Sequence, residues 1–348
     1  VAQDEEKSMG KWFSTTGKTA LLAAALLAGC SPASVRLSKN PSAVVATVPL
    51  TDFGTGVAIT PDGTRACVAA GSKVVVIDTA TNKVAATIEL GDMPYAIAIS
   101  PDGRRAYAAD LMQREVWFID LASNGVVKRV DLGEPRRPVL RPGVAVSPDG
   151  QTVYTTLSQP DGAGFDLLYS IDTATGAKQQ RALDFHPGNL VAGRDGRLVW
   201  VAGCRGLCSD GALHAIDPAN PGHALRLVLP TVPGDVAVSP DGAHVYVTNG
   251  LAASVAVADT AAGSLVTNVK VGAEPLGVAT SPDGKRVYVT NFQSGTMSVL
   301  DAQSNEVIDT LNVGATPRAV AVTPDGRRAY VTHSTSRVSV VDLAGSDD

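Results

Sequence analysis

Between residues 276 and 314 the chain runs through four short stretches in which apolar and polar residues alternate, LGVATSPDG, KRVYVTN, TMSVLDAQS and NEVIDTLNVG. A period of two is the pattern of a strand with one face buried, so this stretch predicts four consecutive strands, here A, B, C and D. The unit recurs along the chain. Pro-Asp-Gly begins at Pro61, Pro101, Pro148, Pro240, Pro282 and Pro324, and a worn copy, Arg194-Asp195-Gly196, fills the one wide gap, in steps of 40, 47, 46, 46, 42 and 42 residues. A second marker, an aspartate closing an apolar run, falls at Asp78, Asp120, Asp172, Asp217, Asp259, Asp301 and Asp342. Both markers give seven units.

Pro-Asp-Gly suits the A-to-B turn: proline presets φ, aspartate bonds nearby backbone, and glycine takes the left-handed position. The strand-C aspartates suit an equivalent turn into strand D. Because both sets recur in every unit, they are read as folding signals and not as catalytic or metal-binding carboxylates. Four-stranded units at this period predict an all-β, seven-bladed β-propeller. The segment VVATVPL from Val44 reads as a lone strand D, and the last unit ends after strand C. The N-terminal strand is therefore expected to complete the last blade and close the ring.

The residues before this domain carry a different pattern. From Met9, a head with Lys11 and Lys18 precedes the apolar run TALLAAALLA, which is about half the roughly 20 residues an α-helix needs to cross hydrocarbon. This is the layout of a secretory signal peptide. Its ending, Leu27-Ala28-Gly29-Cys30, resembles the bacterial lipobox, which implies lipidation of Cys30; an ordinary cleaved signal peptide with a stray cysteine, or an unprocessed helix, is the alternative. Gly17-Lys18-Thr19 mimics the end of a phosphate-binding loop, but Trp12 stands where its first glycine belongs. The expected organisation is 1–29 as upstream residues and leader, 30–43 as a flexible tether, and 44–348 as one propeller, extracytoplasmic and held to a bacterial membrane only by its lipid.

Composition narrows the function classes. With 29 Lys and Arg against 34 Asp and Glu, the net charge of −5 lacks the basic excess that phosphate neutralisation needs, so nucleic acid is not an expected partner. No C-x-x-C-H, H-E-x-x-H or G-x-S-x-G occurs, so no motif implies a cofactor, a metal or a hydrolase elbow.

Tyr246-Val247-Thr248-Asn249 and Tyr288-Val289-Thr290-Asn291, with the near copy Tyr330-Val331-Thr332-His333, lie on strand B of three units. With Pro-Asp-Gly at this spacing, they resemble the YVTN-repeat, or surface-layer-like, propellers over about residues 44–343. The resemblance implies an exported or cell-surface binding scaffold. The glycine and tryptophan signatures of WD40, kelch and quinoprotein propellers are not matched.

In a propeller the B-to-C and D-to-A connections share one face. The step from Pro-Asp-Gly to the strand-C aspartate is 17 to 19 residues in five units but 24 in the third and 23 in the fourth, and the following step is 22 or 23 except for 28 between units two and three. All three insertions (134–142, 158–166 and 203–211) fall on that face, where binding loops on rigid scaffolds are commonly built. They supply Arg136, Arg137, Arg141 and Arg205, candidates for capturing an anionic ligand through bidentate guanidinium bonds, with solvated surface arginines as the alternative. Cys204 and Cys208 are expected to form a disulfide; a metal site would need more ligands, and His186 is the one evident helper. Cys67, within strand B, reads as a small core residue. Asp110, Asn249, Asn291 and His333 share one strand-B end and are candidates either to line a central pocket or to cap the strands.

Three functions follow: a non-enzymatic binding scaffold for an envelope protein or acidic glycan; a propeller-type hydrolase or lactonase acting on an anionic substrate, with His333 or His186 as weak candidate bases; and an accessory subunit of an envelope redox or transport complex.

Overall fold

The computed structural model describes residues 43–110, 112, 114–133, 142–158, 166–205, 210–220 and 224–344. The expected leader, Cys30 and the tether up to residue 42 lie outside these, as do Arg136, Arg137, Arg141 and Cys208. Every element is a strand, and the strands form seven separate four-stranded antiparallel sheets. Each sheet takes its strands in chain order, as blade 6 does with Pro275–Thr280, Arg286–Asn291, Thr296–Asp301 and Glu306–Asn312 as A to D. Blade 7 is the exception: Pro317–Val322, Arg328–His333 and Arg337–Asp342 are completed by Val44–Pro49 from the other end of the chain. The N-terminal strand closes the ring as its sequence predicts, with Val48 paired to Val338 and buried beside Tyr330 and Val340.

The turns hold for the predicted reasons. Seven glycines of the A-to-B turns, from Gly63 to Gly326, have φ between 70° and 75°. The preceding aspartates accept from the backbone two residues on, as Asp283 does from Lys285 N–H at 3.0 Å. Six of them also accept from a Ser or Thr hydroxyl, as in Ser281 to Asp283 at 2.6 Å. The strand-C aspartates bond the next turn alike: Ser304 N–H donates to Asp301 at 2.9 Å and Ala344 N–H to Asp342 at 3.0 Å.

Each of seven apolar clusters joins two neighbouring blades, so the core is a set of interfaces and not one central mass. Between blades 1 and 2, Cys67, Val74 and Val76 meet Trp117 and Ile119; between blades 4 and 5, Trp200 and Leu213 meet Val236 and Val247. Burying a side chain of this size contributes about 1.5–3 kcal/mol. Burial also pushes the Cys67 thiol up to about 12, which makes it an inert core residue.

The innermost strands are tied to each other by hydroxyls. Strand A carries a bulge near its start, for example between Pro275 and Val278, which frees a backbone N–H. In blade 6 the strand-B threonine Thr290 accepts that N–H from Gly277 at 2.9 Å and donates to Arg318 O of blade 7. Thr248 likewise accepts from Asp235 N–H at 2.8 Å and donates to Leu276 O at 3.0 Å, and Thr156 accepts from Gly143 N–H at 3.1 Å and donates to Gly188 O at 2.8 Å. Blade 1 has Ala69 at this position, and Thr55 of strand A reaches Pro94 O of blade 2 instead, at 3.2 Å. Thr156, Thr248 and Thr290 are thus inter-blade clamps, while Thr332 in blade 7 accepts from Ala319 N–H of its own blade at 3.1 Å.

Two outcomes follow. Thr290→Val strands the Gly277 N–H and is expected to lower stability by about 1–3 kcal/mol in urea denaturation, with Thr290→Ser losing much less; equal losses would contradict the clamp. A chain starting at Thr51 lacks strand D of blade 7 and is expected to lose its single cooperative melting transition, which calorimetry reads directly.

Candidate functional site

The strand-A bulge places one residue of each blade at the closest approach of neighbouring inner strands. In chain order these are Gly56, Ala96, Gly143, Asn189, Asp235, Gly277 and Ala319. Small residues are required there by contact: a Cβ on Gly56 would lie 3.0 Å from Tyr95 O, and one on Gly143 would lie 2.9 Å from Leu190 N. Asn189 and Asp235, in adjacent blades 4 and 5, are the two departures. They line a central cavity of about 250 Å3 to which all seven inner strands contribute.

Asp235 is held on both oxygens. Oδ1 accepts from Asn189 Nδ2 at 2.8 Å and from its neighbour Val236 N–H at 2.9 Å, and Oδ2 accepts from Val278 N–H of blade 6 at 3.1 Å. The side chain therefore joins three blades. Burial raises its pKa to about 6 against those three bonds, which favour the anion. A carboxylate that changes charge near pH 6 thus faces the channel.

The cavity opens toward the face that carries the B-to-C and D-to-A connections. Its mouth includes Glu274 from a D-to-A connection, Phe292 just after strand B of blade 6, and Tyr95 and Arg318 at the starts of strands A of blades 2 and 7. Arg318 donates from Nη1 to Ser334 Oγ at 3.4 Å, its Nε is buried without a hydrogen bond, and it has no acidic partner among the described residues. Glu274 adopts φ of 54°, fixed by Phe292 N–H donating to its carbonyl at 2.9 Å. Thr316 at the corresponding place before blade 7 has φ of 56° with the same bond from Ser334, so this conformation belongs to the fold.

The residues singled out in the sequence lie elsewhere. Asp110, Asn249, Asn291 and His333 are fully buried at matching strand-B ends and none lines the cavity. Asn291 Nδ2 donates to Thr296 and Ser298 hydroxyls at 3.0 and 2.9 Å, and Asp110 accepts from Met112 N–H, which is strand-end capping. Both oxygen and nitrogen of the Asn249 amide lack partners among the described residues. His333 Nδ1–H donates to Ala315 O at 2.8 Å, and Nε2 sits 2.9 Å from Ser339 Oγ, from which it accepts. Burial holds its basicity below the usual range, so neither ring nitrogen is free to act as a general base. His186 Nδ1 lies 2.8 Å from Asp166 Oδ2, an imidazole and an orienting carboxylate without a hydrogen-bonded nucleophile among the described residues. Arg205 pairs with Asp184. Cys204 is disulfide-bonded, and its expected partner Cys208 lies outside the described residues. Among the described residues no cluster of His, Cys, Asp and Glu is suited to a metal.

Comparison with known proteins adds a family-model match over part of the chain and a shared fold. Residues 228–347, which span the end of blade 4 and blades 5 to 7, match the family model described as "Cytochrome D1 heme domain". Kuenenia stuttgartiensis hydrazine synthase is similar in structure, with a TM-score of 0.74 and 20% identity over 85% of this chain and 97% of that one, a likeness that shows the seven-bladed fold. No curated protein matches the sequence.

A haem domain would need an axial ligand in the cavity. None of the described histidines, His186, His214, His244 or His333, lines it, nor does a methionine or cysteine, and Tyr95 is its one side chain of a type that ligates haem iron. His214 is instead stacked on Phe185, with ring centres 3.5 Å apart. A volume of about 250 Å3 is below the roughly 300–1,000 Å3 of pockets for drug-sized ligands, and a tetrapyrrole is larger still. The residues present do not fit a haem.

Asp235 gives this site a pH signature. Its carboxyl rises from 3.8 to about 6 on folding, so the folded state holds the proton more tightly and stability is lost as pH rises through that window, on the order of 2–3 kcal/mol. The turn aspartates, lowered mainly by hydrogen bonds as Asp283 is, act with opposite sign and below that window. Asp235→Asn is therefore expected to gain stability relative to wild type between pH 4 and pH 7 in paired thermal melts. Parallel curves would remove the assignment.

Proposed function

We propose that this chain is an exported, lipid-anchored, non-enzymatic binding propeller that presents the face carrying its B-to-C and D-to-A connections to an envelope partner. One observation carries the reading: the polar mouth of the central cavity opens on the face of the B-to-C and D-to-A connections, the kind of connection that the sequence lengthens three times. A rigid ring with a recessed polar centre and a loop-rich rim has the form of a recognition surface. The leader and Cys30 support export and anchoring from the sequence side. The engaged ring of His333 and the absence of a nucleophile on His186 among the described residues count against the hydrolase alternative.

The rim's contribution rests on Arg136 and Arg137, whose guanidinium groups suit a carboxylate-rich protein or acidic glycan. The test is capture by the full chain, cross-linked in native envelope extract, against the Arg136→Ala/Arg137→Ala double variant. The expected result is a stoichiometric protein or glycan lost with the variant at unchanged melting temperature. Turnover of an ester or lactone, abolished by His186→Ala, would overturn the reading in favour of catalysis.

A second reading, a propeller subunit of a redox assembly, is favoured by the match of residues 228–347 to a haem-domain model. It requires a haem-bearing partner to co-purify stoichiometrically, since the cavity itself does not accommodate the group.

A further inference from the structure

We propose that the mouth of the central cavity binds a small carboxylate that carries a hydroxyl or ammonium donor at its other end, with the carboxylate on Arg318 and the donor on Asp235. The inference deepens the binding-propeller reading and rests on it. It starts from Arg318, which faces the cavity with a buried, unbonded Nε and a single 3.4 Å bond to Ser334. A buried, unbonded Nε is shared by Arg226 and Arg286, so what sets Arg318 apart is its place on the cavity wall without an acidic partner among the described residues. Arg226 pairs with Asp210, Arg286 with Asp301 at 2.6 Å, and Arg328 donates to Thr79 O at 2.8 Å. A half-buried guanidinium without an acidic partner among the described residues costs solvation that a bound carboxylate would return through paired, charge-assisted bonds.

Blades 4 and 5, the latter two blades round the ring from Arg318, fix the other end of the ligand. Asp235 and Asn189 replace the glycine or alanine that the five other blades carry at the bulged position, so this ring of positions is polar at one sector only. With Oδ1 accepting two bonds and Oδ2 one, the acceptor capacity left on Oδ2 suits a donor and repels a second carboxylate. Glu274, exposed at the mouth, further disfavours dianions. Phe292, from blade 6 between those of Asp235 and Arg318, and Tyr95, from blade 2, supply aromatic walls. The cavity of about 250 Å3 has room for a ligand of amino-acid or hydroxy-acid size.

The test is calorimetric titration of the full chain at pH 7.5 with glycine, β-alanine, 4-aminobutyrate, glycolate and 3-hydroxypropionate, and with propionate and ethylamine as probes lacking one end. At least one bifunctional compound is expected to bind, with propionate weaker by about tenfold and ethylamine undetected. Arg318→Gln is expected to weaken binding by about ten- to a hundredfold, the loss of a charge-assisted pair. Asp235→Asn should bind propionate as wild type does while losing the preference for a donor, and melting temperatures check that both variants fold. Preference for ammonium over hydroxyl compounds identifies which donor the site takes. No binding by any bifunctional compound, or equal binding by Arg318→Gln, would overturn the inference and leave the binding-propeller reading standing. Chemical conversion of a bound compound would overturn that reading while leaving the Arg318 site in place.

Discussion

The contact on which the structure depends is the one between neighbouring inner strands. Seven strands converging on one axis approach so closely that most blades admit only glycine or alanine there, and the backbone bulge required by that approach leaves an N–H to be satisfied. In blades 3, 5 and 6 a threonine on strand B does this and bonds the next blade with the same hydroxyl. A donor or acceptor left unpaired at such a place costs about 1–3 kcal/mol, so the arrangement selects both the small residues and the threonine. The cavity is what remains when the small residues are in place. At the bulged position itself, polar chemistry is confined to the two blades that depart from the rule.

Asn189 and Asp235 show how one feature serves structure and recognition together. Blade 4 has Ala202 where the clamping threonine would stand, and the Asn189 amide bonds Asp235 across the interface in its place. The carboxylate continues the tie to Val278 N–H. A group held by three bonds in a recess is also a preorganised acceptor, since a ligand reaching it need not order the side chain. Its burial makes its charge depend on pH near 6.

The blades, turns and closing strand were legible because each rests on a local signal repeated seven times: alternation for the strands, Pro-Asp-Gly for one turn, aspartate for the other, and an unpaired strand at the chain's start. The site was not legible for the converse reason. Its residues are informative as exceptions, and exceptions are visible only once the bulged position of strand A is aligned across blades, where Asn189 and Asp235 stand among Gly56, Ala96, Gly143, Gly277 and Ala319. His333 also breaks its repeat, but the break is structural: a hydrogen-bonding side chain at a strand end can be satisfied inward, by Ala315 and Ser339, as readily as it can face a ligand. Arg318 carried no sequence signal, because its distinction is a place on the cavity wall, a property of three-dimensional neighbours.

The match of the last three blades to a haem-domain model and the fold shared with hydrazine synthase set the alternative that matters most, a tetrapyrrole in the channel. The most direct measurement is native mass spectrometry, with an absorption spectrum, of the chain isolated from its own cells under non-denaturing conditions. The account predicts no Soret band and a non-covalent adduct of the mass of a small organic acid or amino acid. A stoichiometric tetrapyrrole with a Soret band would contradict it.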